Sequence, residues 1–199
     1  PAAILNLGGV ANITVIGSDG ALIAFDTGMA SGLIDNWMQT QGNASYDEGG
    51  ACAARGQVNG AILAAMLADP WFDLPPPKSI DREAFSIEAV RGLSLEDGAA
   101  TLTAFTAAAV ARAIDHLPQR PAEIHVAGGG RHNATLMAMI AERTGARVLG
   151  VDHLGWDGDA LEAQGFAYMA VRHLKALPIS FPGTTGAPAP MTGGVLFRP

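Results

Sequence analysis

Apolar, β-branched-rich runs open the chain. Ile4 to Leu7 and Ala11 to Ile16 flank Gly8-Gly9, and a third run, Ala21 to Phe25, is reached through Ser18-Asp19-Gly20. Short runs of this kind separated by glycine and Asp-Gly turns predict an antiparallel hairpin or meander. After Asp26-Thr27-Gly28 the period changes, because Leu33, Ile34, Trp37 and Met38 recur at helical spacing. A carboxylate therefore stands where a strand is expected to become a helix.

Ser45 to Leu67 is Ala-rich and is predicted helical in two pieces around Gly56, after which Pro70, Pro75, Pro76 and Pro77 enforce an irregular connection. Ser94 and Asp97 have capping-box spacing and open a long helix to about Leu117, with Leu102, Phe105, Ala109 and Ile114 as its buried stripe. Pro118 and Pro121 stop it. A strand (Glu123 to Ala127), the triplet Gly128-Gly129-Gly130, a helix (Asn133 to Thr144), a strand (Arg147 to Val151) and a helix (Ala160 to Leu174) follow. This order predicts an α/β layer with a partly parallel sheet. From Pro178 the tail is expected to be irregular as far as Val195-Leu196-Phe197.

Composition narrows the functional classes. At 199 residues and 49% hydrophobic the chain can bury a proper core. A formal net charge of -7 would repel a phosphate backbone, so no nucleic-acid partner is expected. The single cysteine, Cys52, forms no internal disulfide, and no Cys/His group has zinc-ligand spacing; a reducing cytoplasm is the default and no protein-held metal is expected. No run reaches the roughly 20 apolar residues that span a bilayer, so no membrane association is expected. The chain starts at Pro1, close to an expected strand, which suggests a piece of a longer protein.

Three features carry candidate chemistry. In Asn6-Leu7-Gly8-Gly9-Val10-Ala11-Asn12, paired glycines at a strand turn let backbone N–H groups approach phosphate oxygens; the plainer reading is an ordinary tight turn. Asp26, at the exit of an apolar strand, suits a general base or, alternatively, a helix N-cap. Val126-Ala127-Gly128-Gly129-Gly130-Arg131-His132-Asn133 joins strand to helix through glycines, where a nucleotide can lie on bare backbone. It lacks both the G-x-G-x-x-G spacing and a following G-K-[ST], so dinucleotide and P-loop readings fall behind.

The order of a glycine hairpin, a strand-end Asp, a long helix and a strand-GGG-helix element resembles the second lobe of the actin, sugar-kinase and heat-shock-chaperone ATPases. Within them, Asn6 to Asn12, Phe25-Asp26-Thr27-Gly28, Tyr46-Asp47-Glu48-Gly49-Gly50, Pro77-Lys78-Ser79, Gly128-Gly129-Gly130 with Asn133, and Leu161-Glu162-Ala163-Gln164-Gly165-Phe166-Ala167 are similar to successive motifs of the anhydro-N-acetylmuramic acid kinase family. Thr185-Gly186-Ala187 and Gly194 to Phe197 also fit.

The resemblance implies an actin-like, ribonuclease H-like α/β lobe with a mixed sheet flanked by helices, residues 1–199 being a single C-terminal lobe whose N-terminal partner lobe is absent. It implies ATP-dependent phosphorylation of 1,6-anhydro-N-acetylmuramic acid with hydrolytic opening of the anhydro ring to N-acetylmuramic acid 6-phosphate, in cytoplasmic cell-wall recycling. ATP and Mg²⁺ would be required, the full-length protein would be a homodimer, and the lobe alone would be inactive. Asp26 matches the family's general base and Glu162 a carboxylate facing the sugar, which at the start of an apolar helix needs a partner if buried; the plainer reading of Glu162 is a surface residue that the helix dipole favours in a first turn. Gly8, Gly9 and Asn12 match the hairpin near the ATP phosphates; Gly128, Gly129, Gly130 and Asn133 match the element beside the nucleoside. Lys78 is read as a solvated lysine or a phosphate neutraliser, and Tyr46, Asp47 and Arg55 as structural or rim residues. Where the family continues Pro-Gly-Asn after Asp-Thr-Gly, this chain has Met29-Ala30-Ser31, with Ser31 able to supply a weaker hydrogen bond. The competing readings are a non-catalytic nucleotide-binding or interaction module and a chaperone-like ATPase.

Overall fold

The computed structural model describes Ala2–Phe197. β1 (Ala2–Leu7) and β2 (Val10–Ile16) form an antiparallel hairpin with Gly8-Gly9 at its tip, and β3 (Leu22–Met29) returns along β2. The other edge of β1 pairs in parallel with β4 (Glu123–Ala127), and β4 in parallel with β5 (Arg147–Gly150). The result is one five-stranded sheet in the order β3-β2-β1-β4-β5. Burial alternates as a two-sided sheet requires. Leu5, Leu7, Ala11, Ile13 and Phe25 face a core, while Asn6, Asn12 and Asp26 are only half-buried on the opposite face.

β3 does not stop at Phe25. It continues through Asp26 to Met29 because the backbone finds partners on both sides: β2 pairs as far as Met29, and the Asp26 N–H donates to the Lys78 carbonyl at 2.9 Å. The register slips between Ala11 and Asn12, leaving Thr27 as a bulge whose hydroxyl donates to the Ala11 carbonyl at 3.3 Å. The helix that follows, α1 (Ser31–Gln41), buries the expected Leu33, Ile34, Trp37 and Met38.

The two-piece helix predicted over Ser45 to Leu67 is corrected. Within it only α2 (Gly60–Leu67) is an α-helix; Glu48–Gly50 and Ala53–Arg55 are single 3₁₀ turns. Two physical causes outweigh the Ala-rich composition. Gly49 and Gly50 take φ of 62° and 76°, and the buried Asp47 carboxylate accepts the N–H groups of Cys52 at 2.7 Å and Ala53 at 2.9 Å, removing donors that a helix needs.

α3 (Leu95–Asp115) starts on Ser94, whose hydroxyl accepts the Asp97 N–H at 3.1 Å. Only half of the expected capping box forms, because the Asp97 carboxylate instead accepts the Gln57 N–H at 2.7 Å. The helix is buried on every side from Gly98 to Val110, wider than the predicted stripe. It runs between two apolar clusters, one under the sheet with Ile13, Leu136 and Ile140, the other with Trp37, Leu63 and Phe72. Its run of Ala and Thr permits that close approach from both sides. α4 (Ala134–Thr144) lies against α3 and β5.

α5 (Leu161–Leu174) forms where predicted, yet none of its residues is buried; Ala163, Phe166, Ala167, Ala170, Val171 and Leu174 make one exposed apolar face. The tail holds a one-turn helix, α6 (Pro182–Thr185), against β3 and a bridge between Ser180 and Met191. Among the described residues no helix is long and apolar enough to cross a membrane.

Candidate functional site

The glycine hairpin is fixed by the helix behind it. An α-helix starts with unpaired N–H groups, and in α1 no side chain caps them. They are taken by the hairpin tip: Ser31 donates to the Gly8 carbonyl at 2.9 Å, and Ala30 and Gly32 donate to the Gly9 carbonyl at 3.0 and 3.3 Å. The carbonyls of Gly8 and Gly9 are thereby turned toward α1. The N–H groups of Gly8 and Gly9 have no partner among the described residues. The same contacts exclude Asp26 as an N-cap, since the helix begins at Ser31 on Ala30.

A second set of free donors faces the hairpin. Gly128 has φ 78° and ψ 172°, and a Cβ there would lie 2.6 Å from both Asn6 Oδ1 and the Leu7 carbonyl oxygen. Glycine is thus required for β4 to turn this close to β1. The N–H groups of Gly129 and Gly130 have no partner among the described residues, and Asn133 caps α4, its Oδ1 accepting the Leu136 N–H at 2.9 Å. Gly8, Gly129, Gly130 and Asn133 line one cavity of about 700 Å³, closed on its far side by Ser31, Asp35 and the Ser45–Gly49 loop. That loop is anchored by the Thr135 hydroxyl, which donates to the Gly50 carbonyl at 2.8 Å. Tyr46 and Asp47 therefore are rim residues, as expected.

Asn6, Asn12 and Asp26 are direct cross-strand partners on β1, β2 and β3, a polar row on the half-buried face of the sheet. Asp26 Oδ2 accepts the Ile80 N–H at 2.9 Å. Burial raises its carboxyl above the usual range, and the Ile80 bond offsets part of that. Asp26 and Asn12 line neither of the two cavities that meet at Asp35, and Gly9 lines the second, of about 590 Å³, together with Asp35, Gln39, Arg82 and Glu83.

Asp35 was not singled out by sequence, since one acidic residue on an amphipathic helix gives no signal. It borders both cavities, and burial pushes its carboxyl up to about 6. The native state then binds this proton more tightly than the unfolded chain does, so stability falls as pH rises from about 4 to about 6 and stays lower above. Asp35→Asn is expected to be about 1–3 kcal/mol more stable than the parent at about pH 8 and to match it near pH 4, measured by urea denaturation at both. Equal stability at both values would mean that the Asp35 charge is not desolvated.

One expectation changes. Lys78 is not a freely solvated lysine: its ammonium donates to the carbonyls of Trp71 at 3.1 Å and Phe72 at 2.9 Å and lies 4.3 Å from the centre of the Trp71 ring. Glu162 is exposed in the first turn of α5 and needs no buried partner. Sequence reading also missed Arg131, which is buried beside the glycine triplet; its partners are far along the chain.

The sequence profile described as AnmK, anhydro-N-acetylmuramic acid kinase, matches residues 1–199. The chain is 62% identical over 200 residues to the anhydro-N-acetylmuramic acid kinase of Rhizorhabdus wittichii, covering 100% of this chain and 55% of that protein. It is 54% identical to the proteins of the same description from Zymomonas mobilis, over 98% of this chain and 53% of the relative, and from Caulobacter vibrioides, over 98% and 52%. The chain thus spans about half the length of the curated relatives it matches. Among solved structures, the activator of the 2-hydroxyisocaproyl-CoA dehydratase from Clostridium difficile with bound ADPNP superposes with a TM-score of 0.50 at 14% identity, over 75% of this chain and 53% of that one. That likeness concerns the fold alone, a mixed α/β sheet flanked by helices.

Proposed function

This chain belongs to the anhydro-N-acetylmuramic acid kinase family, and from that membership we propose that it supplies the nucleotide-holding half of an enzyme that phosphorylates 1,6-anhydro-N-acetylmuramic acid with ATP. The observation that carries the reading is the convergence of two glycine turns with free N–H groups: Gly8 of the hairpin tip and Gly129-Gly130 line one cavity, and Gly9 lines the cavity beside it. Unpaired N–H groups on bare backbone suit phosphate oxygens. We read the strand order as ribonuclease H-like, the residues 1–199 as one lobe, and the cavity wall as completed by a second lobe.

The residues present fit Mg²⁺ as a companion of the nucleotide. Among the described residues no group of three or more His, Cys, Asp or Glu could hold a metal ion. Asp35, a half-buried carboxylate on the cavity wall without a hydrogen-bond partner among the described residues, suits an ion otherwise bound by phosphates and water. Bound there, Mg²⁺ would neutralise charge on the phosphates.

In the proposed reaction Asp26 takes a proton from water as the water oxygen bonds to C1 of the sugar. The C1–O6 bond breaks with its electrons passing to O6, O6 bonds to the γ-phosphorus, and ADP departs. The products are N-acetylmuramic acid 6-phosphate, ADP and the proton held by Asp26. Burial raises the affinity of the Asp26 carboxylate for protons above that of an exposed carboxylate, which makes it a better proton acceptor. Asn12, its cross-strand neighbour, would orient the carboxylate or a phosphate oxygen, and the exposure of Glu162 leaves it free to meet the sugar. Such a reaction would serve cell-wall recycling.

That Asp26 lines neither cavity favours, as a second reading, a nucleotide-binding module without catalysis. ADP formation by the complete gene product, with and without 1,6-anhydro-N-acetylmuramic acid, separates them. Sugar-dependent ADP release is expected. ATP turnover indifferent to the sugar would point to a chaperone-like ATPase, and nucleotide binding without turnover to the module.

A further inference from the structure

Arg131 directly follows the glycine triplet, and its side chain is 5% exposed. A buried guanidinium needs acceptors for its donors, and the fold supplies them for three of its five N–H groups. Nη1 donates to the Gly128 carbonyl at 3.0 Å and to Asp159 Oδ1 at 2.7 Å, while Nε donates to Asp152 Oδ2 at 3.1 Å. The carboxylates lie 21 and 28 residues further along the chain and are themselves 60% and 73% exposed. The Asp159 hydrogen bond holds the guanidinium protonated and lowers the Asp159 carboxyl.

Asp159 is fixed in its turn. Asp157 Oδ1 accepts the N–H of Asp159 at 3.0 Å and of Ala160 at 3.2 Å, closing a tight turn over residues 157–160. Gly158 lies flush on Arg131, since a Cβ there would come within 2.6 Å of Nε. α5 begins at Leu161, one residue beyond Ala160, with Glu162 in its first turn. The side-chain hydrogen bonds made further along α5, from Arg172 to Pro178 and Tyr168 and between His173 and Gly193, stay within the helix and the tail that follows it. None of its residues is buried. The placement of Glu162 relative to the glycine triplet thus depends on the Arg131–Asp159 pair.

We propose that Arg131 is a positioning residue that ties the phosphate-facing glycine turn to the helix bearing Glu162, so that a nucleotide seated on Gly129 and Gly130 sets where Glu162 stands. One atom, Nη1, serves both ends: it fixes the Gly128 carbonyl, which shares its peptide plane with the Gly129 N–H, and it holds Asp159. Nucleotide that orders the glycine turn therefore orders the start of α5 through a continuous hydrogen-bonded path, without touching it. This deepens the kinase reading and rests on it for the identity of nucleotide and sugar.

The test uses the complete gene product and its Asp159→Asn, Asp159→Glu and Arg131→Ala variants. Asp159→Asn is expected to lower kcat for sugar phosphorylation about tenfold with KM for ATP within about twofold. Asp159→Glu should recover part of that loss, and Arg131→Ala should raise KM for ATP as well. Hydrogen exchange gives a readout independent of turnover: ADPNP should slow exchange in residues 127–133 and 159–166 of the parent, but only in 127–133 of Asp159→Asn. Protection of 159–166 that survives in Asp159→Asn, or variants that lower Tm while kcat and both KM values stay at parent levels, would overturn the coupling alone. A parent protein in which ADPNP protects neither segment would overturn the coupling and the kinase reading together.

Discussion

Asp26→Asn in the complete gene product is expected to lower turnover by about a hundredfold to ten-thousandfold with the fold intact. The structural reason for a clean variant is that Asp26 makes one side-chain hydrogen bond, from the backbone Ile80 N–H to Oδ2, which an amide oxygen can also accept, though more weakly than a carboxylate. Its backbone N–H remains on the Lys78 carbonyl. Asparagine also removes a half-buried charge, so stability should hold or rise. The chemical reason for the loss is that an amide cannot take the proton of the attacking water. KM values should change little, because the base acts in the transition state rather than in binding. In the parent, the acid limb of the kcat profile should lie above the ordinary carboxylate range, since burial raises this group. A variant that keeps more than about a tenth of parental turnover would move the base elsewhere.

Gly128→Ala is expected to cost about 2–4 kcal/mol of stability and to abolish measurable nucleotide binding. Its φ of 78° with ψ of 172° lies in a region that side chains do not adopt, and the new methyl would overlap Asn6 and the Leu7 carbonyl, pushing β4 from β1 at the point where the two turns face each other. Gly129→Ala is the informative companion. Nothing lies within 4 Å of a Cβ there, so the fold should tolerate it, while the methyl intrudes on the cavity that Gly129 lines. Urea denaturation combined with ADPNP titration separates the two effects. Weak binding by both with loss of stability only in Gly128→Ala is expected; tight binding by Gly129→Ala would place the phosphates away from this turn.

Much of this was readable in the chain because the signals are local. The hairpin, the Ser94 cap, the long apolar helix and the strand-GGG-helix junction each depend on neighbours within a few residues, and the observed elements keep nearly those bounds. Where competition is decided at a distance, the sequence was silent. β3 runs past Asp26 because Lys78, far along the chain, offers a carbonyl, and the Ala-rich stretch after Ser45 fails to become a helix because Asp47 diverts its donors. The same holds for the site. Gly8, Gly129, Gly130 and Asn133 were recognisable and do meet at one cavity, whereas Asp35 and Arg131 acquire meaning only from what the fold sets beside them. Glu162 sat in a recognisable motif that left it either sugar-facing or a surface residue, and its exposure follows from what α5 packs against rather than from its own pattern.

The proposed function requires the two glycine turns to hold nucleotide phosphates together. Backbone amide NMR of the complete gene product, titrated with ADPNP in the presence of Mg²⁺, observes those N–H groups themselves. Large, saturable shifts at Gly8, Gly9, Gly129 and Gly130 along a single binding curve are the predicted result. Saturating ADPNP that leaves the amides of either turn unmoved would contradict it.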